Sequence, residues 1–372
     1  MTVKRPEHPR TRWLIRSSSG LDALCLLNLL TGEDFYTRYR PGEAEFWRSR
    51  LNPEALAALR RLIGEIREER HLIISAVLCL IVSTQRIDSL ADVQQTLGRP
   101  DLLKSALAET PYFDEVWWQA FETSRADLQI VLQSLAHEGY EAHWTTTIEP
   151  AVQSAVVRFR ETLDHYDVVS EVEVQLGRRM EHDTVQVIVL GLTAPHGIKL
   201  AGNQFVTAAH WSPETTVLVA AHELMHPPYD LDLAEIREAV NALRTDAFLR
   251  ERFDHHDPVS GYNTWEGFVE EGCVRALDQT ICERLGVARP AWARFSTEDG
   301  GMHVLAALMH DLLQARTDHA EPFGEFFVRQ VMNGALQPGT LAEYYARLER
   351  QATEAEAAVQ SPPVPEKGVP TP

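Results

Sequence analysis

One apolar helix that carries three polar groups constrains this chain more than any other stretch. Residues 211–230 read WSPETTVLVAAHELMHPPYD. Ser212 is a strong N-cap, and Pro213 suits the first helical position, where its missing N–H costs nothing. Glu214 favours the positive end of the helix dipole. Val217, Leu218, Val219, Ala220 and Ala221 form an unbroken apolar run, which predicts a helix buried nearly all round. Pro227 and Pro228 stop it. Inside it His222 and His226 stand four residues apart, one turn above each other on the same face. Glu223 lies about 100° round from His222. Burying two imidazoles and a carboxylate without partners is costly. A divalent metal with a bound water satisfies all three, and H-E-x-x-H is the spacing that offers two imidazoles to one ion and a carboxylate to its water. The alternative is a chance match, which belongs on a polar surface helix or a loop; the apolar run and its start and stop signals set this stretch apart.

The chain before this helix changes character near Asp167. Val172, Val174 and Leu176 alternate with Glu171, Glu173 and Gln175, the period of a half-buried strand. Residues 184–193 (TVQVIVLGLT) predict a central strand. Residues 198–206 (IKLAGNQFV) predict a weaker strand at a sheet edge. Residues 1–165 read as helix after helix. Ser19 caps the first, which Gly32 ends, and Asn52-Pro53-Glu54 opens another. Further helices are expected at 72–84, 90–97, 102–108, 113–137 and from Pro150. Trp117, Trp118 and Trp144 in this half are read as core aromatics rather than a ligand platform. Residues 301–317 and 339–358 close the fold, and SPPVPEKGVPTP reads as a disordered tail. The expected class is α+β: a helical N-terminal region (1–165), a domain with a small mixed sheet and an active-site helix (166–350), and a Pro-rich tail (351–372).

A length of 372 residues allows two domains or one large one. The formal net charge of −19 argues against a nucleic-acid partner, because phosphates are repelled and no basic cluster offsets the charge. Cys25, Cys79, Cys273 and Cys282 form no C-x-x-C pair and fit buried thiols in a reducing compartment. The basic N-terminus lacks a signal-peptide core, and the most apolar run, 72–82, is too short to span a bilayer. A cytoplasmic protein without membrane attachment is expected, its oligomeric state open.

A catalytic zinc takes three protein ligands and a water, yet no third histidine follows His226 closely. The segment GYNTWEGFVEEGCVRALDQTICERLG (261–286) has helical propensity and holds Glu266, Glu270 and Glu271. Its FVEEGCV resembles the gluzincin pattern aromatic-aliphatic-x-Glu-Gly-x-small. Together with the histidine motif this makes residues 165–290 similar to zincin metallopeptidases of the gluzincin type, and similar also to uncharacterised bacterial zincin-like families. The resemblance implies a zincin-like domain in which an edge strand, here 198–206, pairs with an extended peptide or protein substrate. It implies Zn²⁺ held by His222, His226 and Glu271. Glu266 and Glu270 stay open as alternatives, since Val269, Cys273, Leu277 and Ile281 share a face nearer to them, and Arg275 stands where thermolysin-like members carry Asp.

The implied reaction is peptide hydrolysis by a metal-activated water, with Glu223 as general base. Tyr262 and Tyr229 are candidate oxyanion donors through their sequence proximity to the motifs, with packing the alternative for each. His210, His255, His256, His303 and His310 are further candidates; His303 and His310, seven apart, share a face. Two other readings stand beside the enzyme: a catalytically silent zincin-fold binding or regulatory protein, and a structural metal site, which normally takes four protein ligands and leaves Cys273 in play.

Overall fold

The computed structural model describes residues 9–256, 263–336 and 339–360, the last six by backbone alone. The architecture is α+β: helices dominate and surround one small sheet. Its strands are β1 (Arg12–Ser17), β2 (Thr184–Leu190), β3 (Ile198–Leu200) and β4 (Gln204–Ala208), in the order β1-β2-β4-β3. β1, β2 and β4 run parallel, with Ile15 opposite Val187 and Val187 opposite Phe205. β3 lies antiparallel to β4, with Ile198 opposite Val206.

β2 is the central strand that its β-branched run predicts. Four other local expectations are corrected. The expected strand at 172–176 is a helix, Val168–Leu176. Val168, Val169, Val172 and Leu176 are buried and fall at i, i+1, i+4 and i+8, one helical face. The Asp167 side chain accepts from Ser170 N at the start, and Gly177 ends the helix at φ 65°. The expected single strand at 198–206 is a hairpin. Only its first half, β3, is an edge; β4 is an inner strand. In addition, β1 lies in the region read as wholly helical. It is an exposed edge with Leu14 half exposed, and its partner is remote in sequence, so no local period announces it. The first helix is Ser19–Leu29, capped by Ser18 rather than Ser19.

The core is continuous and draws residues from both sides of position 165. One polar knot fastens the two regions. Asp22 is fully buried and accepts from Trp144 Nε1 at 2.8 Å, Gly191 N at 2.9 Å and Leu192 N at 2.8 Å. It thereby ties the first helix to the end of β2.

The site helix spans Pro213–Met225 with the expected cap, Ser212 accepting from Thr215 N. The second helix, Trp265–Arg284, is capped by Thr264 and packs against both the site helix and the helix Val304–Gln314. The closing helix, Thr340–Gln360, runs past the point where the sequence reading begins its tail; residues 361–372 lie outside the described residues. Among the described residues no helix is long and apolar enough to cross a membrane. All four cysteines are buried and unpaired.

Candidate metal centre

The site helix stops one residue short of its second histidine. His222 lies in the last turn, while His226 is the C-cap, with extended backbone at φ −79° and ψ 128°. The two rings nevertheless converge. His222 Nε2 and His226 Nε2 lie 3.3 Å apart. Glu271 Oε2, from the second helix, lies 3.6 Å from each of them. These three atoms form a nearly equilateral triangle. Ligand atoms on a tetrahedral zinc, at about 2.0–2.1 Å from the metal, stand about 3.3 Å from one another. The triangle therefore has the size such an ion needs.

The chemistry of the donors matches that size. Glu271 is 2% exposed, and its Oε2 is a buried oxygen without a hydrogen-bond partner. An orphaned buried carboxylate oxygen is costly unless a cation meets it. The imidazole side chains keep 17% and 24% of their surface, so the triangle opens to solvent on the histidine side. Among the described residues, His222, His226 and Glu271 are the group of three or more metal-binding side chains close enough to share one ion.

Each member of the triangle is held from behind. His222 Nδ1 donates to Asp278 Oδ2 at 2.9 Å, and His226 Nδ1 donates to Glu270 Oε1 at 2.9 Å. In the neutral imidazole a proton on each Nδ1 leaves each Nε2 lone pair directed into the triangle. Glu271 Oε1 accepts from Arg275 Nε at 2.6 Å. Arg275 also pairs with Glu298 at 2.8 Å and Asp299 at 3.0 Å. Behind Asp278 stands Arg294, 1% exposed, which donates to both of its oxygens, with Nη2 3.0 Å from Oδ2. Arg294 Nε also reaches Glu298 at 2.8 Å.

The charges follow from this packing. Burial by itself raises the Glu271 carboxyl, but His222, Arg275 and His226 outweigh it and hold the group well below the usual carboxylate range. Burial likewise raises Asp278, and Arg294 and His222 outweigh it and lower it. For His222 burial disfavours the cation, yet Glu271, the Asp278 hydrogen bond and Glu223 together raise the imidazole to about 9. The surroundings thus favour positive charge at the centre of the triangle.

Glu223 follows His222 directly. It is 8% exposed, and among the described residues its carboxylate makes no hydrogen bond or ion pair. The other two candidate carboxylates take different positions. Glu266 lies at the surface, 3.1 Å from Arg244, and Glu270 lies on the far side of the His226 ring. Tyr262 lies outside the described residues. Tyr229 is buried and stacks on Phe327 at 5.1 Å, an aromatic packing role. His303 and His310 do not meet: His303 Nε2 lies 2.7 Å from Asp299, and His310 Nε2 lies 3.0 Å from Glu283. His210 stacks edge-on against Trp211, His255 Nδ1 faces Glu251 O, and His256 faces Phe253 O and Asn263.

Sequence reasoning missed Asp278 and Arg294. Glu271, Arg275 and Asp278 stand at i, i+4 and i+7, which places all three along one helix face. That spacing of charges within an otherwise buried helix was the available signal. Arg294 carried no comparable signal, because its partner is set by tertiary packing.

No family model, curated protein or solved structure matches the chain.

Proposed function

We propose that this chain is a zinc-dependent peptidase with a zincin-like catalytic centre. The observation that carries the reading is the triangle of two imidazole nitrogens and one orphaned carboxylate oxygen, at 3.3, 3.6 and 3.6 Å. His222, His226 and Glu271 would hold the ion. When bound there, zinc supplies Lewis acidity to a scissile carbonyl and brings the pKa of a water ligand to about 7. Three protein ligands, rather than four, favour a catalytic site over a structural one. Cys273 does not join the group among the described residues.

Glu223 is the proton carrier in this reading. A nearly buried carboxylate that has no hydrogen-bond or ion-pair partner among the described residues can accept a proton from water and pass it to the leaving amine. Asp278 and Glu270 keep the imidazoles in one tautomer and one orientation while this happens. Arg275 keeps Glu271 ionised and turns its second oxygen inward. A groove of about 640 Å³ with a mixed lining, apolar at Leu233, Phe323 and Val328 and charged at Arg178, Glu235 and Glu325, begins at Pro228, two residues beyond His226. It suits side chains of a peptide substrate.

The test compares wild type with Glu223→Gln. Both proteins are analysed for zinc, then incubated with a mixed peptide library. The reading requires one zinc per chain in both and cleavage by wild type alone. Zinc in both with cleavage by neither supports the silent binding or regulatory alternative instead.

A further inference from the structure

The edge strand carries one lysine, Lys199, on whose charge Glu223 acts. Gly197 immediately precedes β3, and a Cβ added to it would stand 2.6 Å from Val219 Cγ1 on the site helix. The strand therefore touches the helix at Val219, one turn before Glu223. Lys199 lies two residues beyond Gly197 and Glu223 one turn beyond Val219, and Glu223 acts on the charge of Lys199. Ile198 and Leu200 are buried on the opposite face.

Lys199 is poorly provided for where it lies. Its Nζ donates to Gly202 O at 3.0 Å and sits 4.9 Å from the centre of the Tyr112 ring. Among the described residues it has no ion-pair partner within 4.0 Å. Glu223 is the acid that bears on its charge. The chain has only four lysines among 35 basic residues. Lys104 is exposed, and Lys4 and Lys367 lie outside the described residues, so Lys199 is the described lysine whose charge is influenced by Glu223. Lys199 is half-buried, and its partial loss of solvent lowers the amine to about 8, so an arriving anion gains somewhat more from this cation than from a fully solvated one.

We propose that Lys199 recognises a carboxylate of the substrate, so that the centre acts on peptides carrying a free carboxylate close to the bond that is cut. This rests on the peptidase reading above. The carboxylate has two sources, an Asp or Glu side chain or the peptide's own C-terminus. Tyr112, from the helical N-terminal region, supplies the ring beneath the ammonium group.

The experiment uses zinc-loaded full-length wild type, Lys199→Met and Lys199→Arg. Each is given peptide pools matched in sequence, with Glu or Gln at fixed positions and with C-termini free or amidated. Products are read by mass spectrometry. Wild type is expected to prefer the carboxylate-bearing member by about tenfold, the size of one charge-assisted hydrogen bond. If the preference follows Glu over Gln, the source is a side chain; if it follows acid over amide, it is the C-terminus. Lys199→Met is expected to lose the preference through KM while still cleaving the amide members, and Lys199→Arg to keep most of it. Cleavage by wild type without any acid preference, or a preference that survives in Lys199→Met, overturns the proposal and leaves the peptidase reading intact. No cleavage by wild type in any pool overturns the reading and the proposal together.

Discussion

Asp278 Oδ2 lies 2.9 Å from His222 Nδ1, while both oxygens of the same carboxylate are held by Arg294. The imidazole is thereby fixed by a buried ion pair that never touches the candidate metal. Breaking a buried pair by removing one partner outright costs about 3–5 kcal/mol, so Asp278→Asn is the informative change. It keeps the shape and weakens the ring's support. Zinc affinity, measured by competition with a chelator, is expected to fall about 10- to 100-fold. Unchanged affinity would place Asp278 outside the centre's function.

Glu270 and Glu271 are neighbours with different partners, His226 Nδ1 and Arg275, and a paired substitution tests the roles proposed for them. Glu271→Gln removes the inward carboxylate oxygen and is expected to abolish stoichiometric zinc binding. Glu270→Gln alters only the support behind His226 and is expected to keep one zinc with affinity reduced by roughly tenfold. Elemental analysis after extensive dialysis checks both. The reverse pattern would assign the ligand to Glu270.

Gly177 ends the helix Val168–Leu176 at φ 65°, and an added Cβ would stand 2.4 Å from Glu321 O. Gly177→Ala therefore meets both a left-handed backbone and a backbone clash. A loss of at least about 2 kcal/mol in unfolding free energy is expected in urea titration. A neutral result would contradict the helical assignment of this segment.

Asp22 gives stability a pH dependence. Burial, the largest influence, outweighs the hydrogen bonds from Trp144, Gly191 and Leu192 and pushes its carboxyl from 3.8 up to about 6. The folded state then binds this proton more tightly than the unfolded state. The contribution is fully present below pH 3.8 and is lost as pH rises through about 6, a change of roughly 3 kcal/mol. Urea unfolding of wild type and Asp22→Asn across pH 4 to 7 should show wild type losing ground to the variant as pH rises. Parallel curves would contradict the account.

Local signals were enough for the site helix and much less so for its surroundings. Ser212, Pro213, the apolar run and Pro227 specify a helix by neighbouring residues alone, and the helix lies there within a residue. The inward turn of Glu271 was only partly legible. The second helix is buried nearly all round, so its apolar face could not decide between Glu266, Glu270 and Glu271. Val172, Val174 and Leu176 misled because a short V-x-V-x-L run satisfies a strand period. Val168, Val169 and the capping Asp167 extend it into a helix. β1 and Arg294 depend on partners far away in the sequence or set by packing, which no local period encodes.

As proposed, His222, His226 and Glu271 would share one metal ion. Crystals of the zinc-loaded protein, measured on both sides of the zinc absorption edge, test it most directly. The account predicts one anomalous peak about 2.0–2.2 Å from His222 Nε2, His226 Nε2 and Glu271 Oε2, with Asp278 and Glu270 still on the far ring nitrogens. A peak elsewhere, or none at this triangle in protein that retains zinc, would contradict it.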